Sequence, residues 1–160
     1  MRTTSIKLLG ATLIFVFIGG YSIAQLSLTE NLSFADSFEV ISSQSYKNSI
    51  HYTSVMRGSI IEDMFIDKDV INALQQGKNL PNGTLIVMEE YHNQSGQRGQ
   101  INRYITMQKV NNDWEFEAFN ADKSRNYTEN TQRCYDCHKN SISGEDIVFT
   151  LDKIKAFKLK

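Results

Sequence analysis

Cys134-Tyr135-Asp136-Cys137-His138 places two thiols three residues apart and an imidazole directly after the second. On a helical turn, positions i, i+3 and i+4 share one face, so both sulfurs can meet one edge of a flat ligand while the imidazole reaches its centre. That is the Cys-x-x-Cys-His spacing of c-type haem attachment, in which the thiols add across the haem vinyl groups and the histidine binds iron. The spacing predicts one haem c per chain, held by Cys134 and Cys137, with His138 as the metal ligand. Rival readings of the same side chains are a disulfide, a thioredoxin-like redox pair, and a zinc site that recruits His51 or His92. A redox pair normally follows an early strand of a βαβ unit, whereas this one lies near the C-terminus with no such unit before it. No second ligand pair has zinc-site spacing.

The start of the chain agrees with chemistry assembled outside the cytoplasm. Arg2 and Lys7 precede an apolar run from Leu8 to Ile18, too short for the roughly 20 residues that span a bilayer. Ser22 and Ala24 supply the small residues of a cleavage site. The expectation is a signal peptide over 1–24, cut after Ala24, and an exported, periplasmic domain over 25–160; a retained membrane anchor is the alternative. The 160 residues, 41% of them hydrophobic, suit one domain with an ordinary core. A net charge of −1 with interleaved signs and a pI near 6.3 argue against nucleic acid, which needs clustered Lys and Arg and a pI above about 9. Lys153, Lys155, Lys158 and Lys160 punctuate the tail as a solvated face, or as a docking patch for an acidic redox partner protein.

The elements that must position these residues are legible in part. Asp67 reads as the cap of a short helix with Val70, Ile71 and Leu74 as its apolar stripe, ending near Gly77. Pro81-Asn82-Gly83 reads as a turn. Thr84 to Glu90 alternates as a strand, with Thr84, Ile86, Met88 and Glu90 on one face and Leu85, Val87 and Glu89 on the other. A loop rich in Gln and Gly is expected next. Ile101 to Val110 and Trp114 to Phe119 then read as strands joined across Asn111, Asn112 and Asp113. Helices are expected near residues 31 to 47, where Phe34, Phe38 and Ile41 recur at helical spacing, and around the cysteines. The fold class is α+β, mainly antiparallel sheet with packed helices.

From Asn82 to Thr150 the sequence resembles the cytochrome P460 family, which includes the cytochrome c′-beta proteins. The resemblance runs through Pro81-Asn82-Gly83-Thr84 into Leu85-Ile86-Val87-Met88-Glu89, then Asp113-Trp114-Glu115-Phe116, the Cys134-x-x-Cys137-His138 motif, and Asp146-Ile147-Val148-Phe149-Thr150. It implies an antiparallel β fold with helices around it, a homodimer, and a five-coordinate haem whose sixth position takes small ligands. Cytochromes P460 proper oxidise hydroxylamine and depend on a lysine bonded to the macrocycle, on the strand after the Pro-x-Gly-Thr turn. Cytochrome c′-beta proteins look like binders of nitric oxide or carbon monoxide. Met88 stands where that lysine would be, while Lys78 precedes the turn and Lys109 lies on another strand. The preferred expectation is therefore a binder of a small diatomic ligand, with hydroxylamine or nitric oxide oxidation and simple electron transfer as the alternatives.

If the Met88 face looks toward the haem, Ile86 and Glu90 share it. Glu90 is then the candidate proton acceptor for catalysis, against the plainer reading of a surface residue near a strand end. Met88 is read as packing on the porphyrin, with a sixth-ligand role as the alternative, and Met56, Met64 and Met107 are rival ligands that otherwise belong to the core. Phe34, Phe38 and Phe65 are candidates to cap the open side, against the stronger and plainer reading as core residues; Phe149 is placed near the His138 side and Trp114 in the core.

Overall fold

The computed structural model describes residues 36–159. The leader over 1–24 with its cut after Ala24, Phe34, and Lys160 lie outside them. Among the described residues, the chain begins with α1 (Ser37–Ser43), capped by the Asp36 carboxylate on Phe38 N, and a 3₁₀ turn over Ser45–Asn48. The sheet then forms from β1 (Ile50–Arg57), β2 (Ile60–Ile66), β3 (Leu85–Gln94), β4 (Gln97–Val110) and β5 (Asp113–Asn120). All neighbours are antiparallel and follow in chain order, β1-β2-β3-β4-β5. Helix α2 (Lys68–Gln75) interrupts the series, α3 (Thr131–Ser141) carries the cysteines, and α4 (Leu151–Ala156) closes the described chain. Among those residues, no helix is long and apolar enough to cross a membrane.

Local chemistry accounts for the joints. Asp67 caps α2 through Asp69 N, and Val70, Ile71 and Leu74 are the buried stripe, as their spacing predicts. Gly83 takes a positive φ of 86° in the turn that Thr84 N closes on Pro81 O. Asn111 and Asn112 both adopt positive φ, 51° and 64°, so a two-residue turn suffices and Asp113 already belongs to β5.

Two regions differ from the sequence reading. Residues 91–100 are not a loop: β3 and β4 run out to a two-residue turn at Ser95 and Gly96, both at positive φ. Their polar side chains hid the strand, because the outer ends of this hairpin are exposed while the backbone ladder continues. The hairpin of β1 and β2 has no counterpart among the expected strands. Glu62 and Asp63 are adjacent, point to opposite faces and are both buried, which erases the apolar alternation.

The sheet separates two cores. On one face Ile41 and Tyr46 pack with Phe65, Val87, Tyr104 and Phe119. On the other, α2 and α4 cover Ile66, Ile86 and Met107 with Ile71, Leu74 and Ile154. Trp114 joins this second core, as expected, although its indole N–H has no partner. Met56 does not belong to either; it is 57% exposed on β1, at the edge of the sheet.

Candidate functional site

Helix α3 packs against β5 and presents its cysteines and histidine to the second face of the sheet. Between them lies a cavity of ≈ 610 Å³, within the roughly 300–1,000 Å³ of cofactor-sized pockets. Cys134, Cys137 and His138 line it on the helix side, and Met64, Ile86, Met88, Ile105, Met107 and Phe116 line it from the sheet. The register explains the floor: Met64, Met88 and Ile105 lie across from one another on β2, β3 and β4, and Ile86 and Met107 form the next row with Phe116.

The asparagine before α3 fixes the helix start, since Asn130 Oδ1 accepts from Arg133 N at 3.3 Å. Cys134 and Cys137 then fall on adjacent turns as free thiols, the first half-buried and the second exposed. Burial, with Glu129 nearby, raises the Cys134 pKa, so this thiol stays protonated. The His138 imidazole is held on three sides. Its Nδ1 lies 2.7 Å from the Ile147 carbonyl, which only accepts, so Nδ1 carries the proton. Phe116 and Phe149 meet the ring edge-on at 5.0 and 4.5 Å. Burial lowers the His138 pKa, against the Ile147 hydrogen bond and with help from the charge of Arg57, so the ring is neutral at pH 7. Nε2 has no hydrogen-bond partner among the described residues and keeps its lone pair for a ligand bond.

One end of the cavity is polar. Arg57 binds buried Glu62 through Nε at 3.0 Å and through Nη2, and Arg103 binds buried Glu90 through Nε and Nη2, each at 3.1 Å. Arg103 also reaches Glu129 at 2.8 Å. Burial alone would lower the Arg103 pKa, but Glu90 and Glu129 raise it, so the guanidinium stays charged. Arg57, Glu62 and Arg103 line the cavity. Glu90 is buried rather than the surface residue of the plainer reading, yet it stands behind Arg103 and Asn102 instead of on the cavity wall. Sequence alone missed Glu62 and both arginines, because each pair forms only once neighbouring strands are in register.

Other candidates fall elsewhere. His51 sits on the opposite face against Phe65 and Ser54, and His92 is exposed at the far part of β3. Phe65 packs in the first core, and Phe38 is exposed under Arg125, so neither reaches the cavity. Met64 lines it, but its sulfur accepts from Tyr52 and Thr150, each at 3.6 Å. Lys109 is buried and bound to Asp146 at 2.6 Å. Lys153, Lys155 and Lys158 are exposed.

The residues present fit a haem. Two unbonded thiols and an imidazole with an unused nitrogen border one apolar cavity, and no three His, Cys, Asp or Glu side chains gather to hold a bare ion among the described residues. A metal held by His138 would need its other ligands from a cofactor, which a haem would supply. The family model Cytochrome P460 matches residues 41–150, more than half of the chain. Comparison with curated proteins finds no match.

Proposed function

This chain belongs to the cytochrome P460 family, and from that premise we propose an exported monohaem c-type protein whose five-coordinate iron binds a small ligand such as nitric oxide or carbon monoxide. Cys134 and Cys137 hold the haem edge and His138 binds the iron. The carrying observation is the wall of the cavity: among the described residues no lysine lines it, and Met88 stands there. A thioether has no amine with which to bond the macrocycle, so the modification on which hydroxylamine oxidation depends in the resembling proteins has no donor here.

A bound haem would supply a redox-active iron able to take a small ligand. The protein's part is to set the environment. Donation from His138 Nδ1 to the Ile147 carbonyl fixes the tautomer and increases the basicity of Nε2. The flanking rings of Phe116 and Phe149 restrict imidazole rotation. Val55, Ile86, Met88, Ile105 and Met107 make most of the wall apolar, which favours an uncharged diatomic over an ion. Arg57 and Arg103 are matched by buried Glu62 and Glu90, and Arg133, also on the cavity wall, by the partly buried Glu129, so that end adds little net charge. Glu90 already accepts from Asn102 and Arg103, which weakens it as a proton acceptor in the enzymatic alternative.

A second reading, electron transfer with a methionine as sixth ligand, is favoured by Met88 and Met107 on the same wall. One pair of measurements separates these. Intact mass should show one haem on two thioethers, and the ferrous spectrum should shift on adding carbon monoxide. A six-coordinate low-spin spectrum indifferent to carbon monoxide would replace the gas-binding reading with electron transfer. An additional haem–protein bond would restore the oxidase, and absence of covalent haem would refute all three.

A further inference from the structure

Lys109 is a cation at the end of a strand that otherwise turns Met107 and Ile105 toward the haem side of the sheet. It is 2% exposed. Its ammonium donates to the Leu80 carbonyl at 2.9 Å and to Asp146 Oδ1 at 2.6 Å, while Asp146 Oδ2 accepts from Leu80 N at 3.0 Å. Three segments are thereby tied at one point: the end of β4, the approach to the Pro81 turn, and the irregular stretch between α3 and α4. A buried ion pair of this kind gives direction more than stability, since apolar replacements often do as well energetically.

Asp146 immediately precedes Ile147, whose carbonyl receives the His138 Nδ1–H. That carbonyl belongs to neither a helix nor a strand, so no ladder of backbone hydrogen bonds sets its direction. The buried side chains of Ile147 and Val148 hold the segment in the core, but apolar packing is not directional. The Asn79–Glu145 bond on the neighbouring residue is exposed. The Lys109–Asp146 pair is the directional restraint on the residue before Ile147, and on the residue after it Val148 O accepts from Leu151 N at 3.1 Å.

We propose that Lys109 is a positioning residue for His138: by anchoring Asp146 it sets the Ile147 carbonyl that orients and polarises the imidazole. The inference rests on His138 being the iron ligand. Loss of the anchor weakens the Nδ1–H···O bond, makes Nε2 a poorer donor to iron and leaves the ferric state less stabilised.

The test compares haem-loaded full chains by resonance Raman spectroscopy of the ferrous iron–histidine stretch and by midpoint potential. In a Lys109→Met/Asp146→Leu double variant, which removes both charges together, the stretch should move to lower frequency and the potential should rise. Lys109→Arg, which keeps the charge and donors, should return both toward the unaltered protein. Ile41→Val, a core truncation in the cluster on the opposite face of the sheet, should move neither. A folded double variant with unaltered stretch and potential overturns the proposal, as does an equal shift in Ile41→Val. Should the double variant not fold, Asp146→Asn is read by the same criteria, since it keeps an oxygen for Leu80 N while cancelling the charge. Failure of the unaltered chain to carry haem or to show an iron–histidine band refutes the functional reading as well, whereas a normal unaltered chain beside an unmoved variant refutes the positioning role alone.

Discussion

On the face of the sheet covered by α1, buried carboxylates sit in a filled layer. Glu89 accepts from Tyr46 and from Tyr91 at 2.7 Å and pairs with Lys47 at 2.6 Å, and Asp63 takes Arg98 and Ser54. Burial and the neighbouring Glu89 raise the pKa of Tyr46 and Tyr91, so both phenols remain donors. On the opposite face Glu62 and Glu90 are as deeply buried and as fully paired, but there the arginines that hold them border open volume beside His138. Buried charge is thus common to both faces and identifies neither. What separates them is a cavity of cofactor size bordered by an imidazole with one nitrogen unused.

The largest effect that would sharpen this contrast comes from the filled face. Glu89→Ala strands the phenols of Tyr46 and Tyr91, while the half-exposed Lys47 ammonium returns to water, and should cost about 2–4 kcal/mol in a urea titration. A cost below about 1 kcal/mol would mean that this face is not the tightly specified one.

A smaller effect concerns acid. Burial pushes the Asp63 carboxyl up, but hydrogen bonds from Arg98 and Ser54 and the Arg98 charge outweigh it and hold its pKa below the ordinary value. A depressed folded pKa contributes stability that is complete above the unfolded value of about 3.9 and is lost as pH falls through the folded one. Asp63→Asn should therefore lower stability at neutral pH and flatten the acid limb below about pH 4, by less than Glu89→Ala because Arg98 is half exposed and screened. An unchanged acid limb would remove Asp63 from the account.

The smallest stability effect is expected at Met88. Because one side of it already faces the cavity, Met88→Leu should change unfolding free energy by less than about 1.5 kcal/mol. The same change should alter carbon monoxide affinity of the haem-loaded chain measurably. A large loss of stability without any change in affinity would turn Met88 into an ordinary core residue and break the comparison.

Much of the site could be read from the chain because its signals are local. The cysteines and His138 lie within one helical turn and a half, and Met88 follows its turn at fixed strand spacing. The alternation of Ile86, Met88 and Glu90 held, with Leu85, Val87 and Glu89 facing the other way. What stayed hidden depends on register. Glu90 meets Arg103 only because β3 and β4 pair at that position, and Glu62 is covered by Arg57 only across the tight turn at Gly58. A carboxylate by itself reads as exposed, and its burial becomes acceptable only beside a cation placed there by pairing. Phe65 takes its plainer place in the core and Phe38 lies exposed, since aromatic side chains suit either face equally.

The strand order carries a consequence for how the protein comes together. Every strand pairs with the one just before it, and three of the four junctions are tight turns, so chain closure is short-range until β5 is laid down. Helix α3, the next element along the chain, folds back on β5 and lines the cavity opposite the sheet. The sheet side of the cavity is thus built from consecutive strands, and its other side from the segment running from α3 to Thr150.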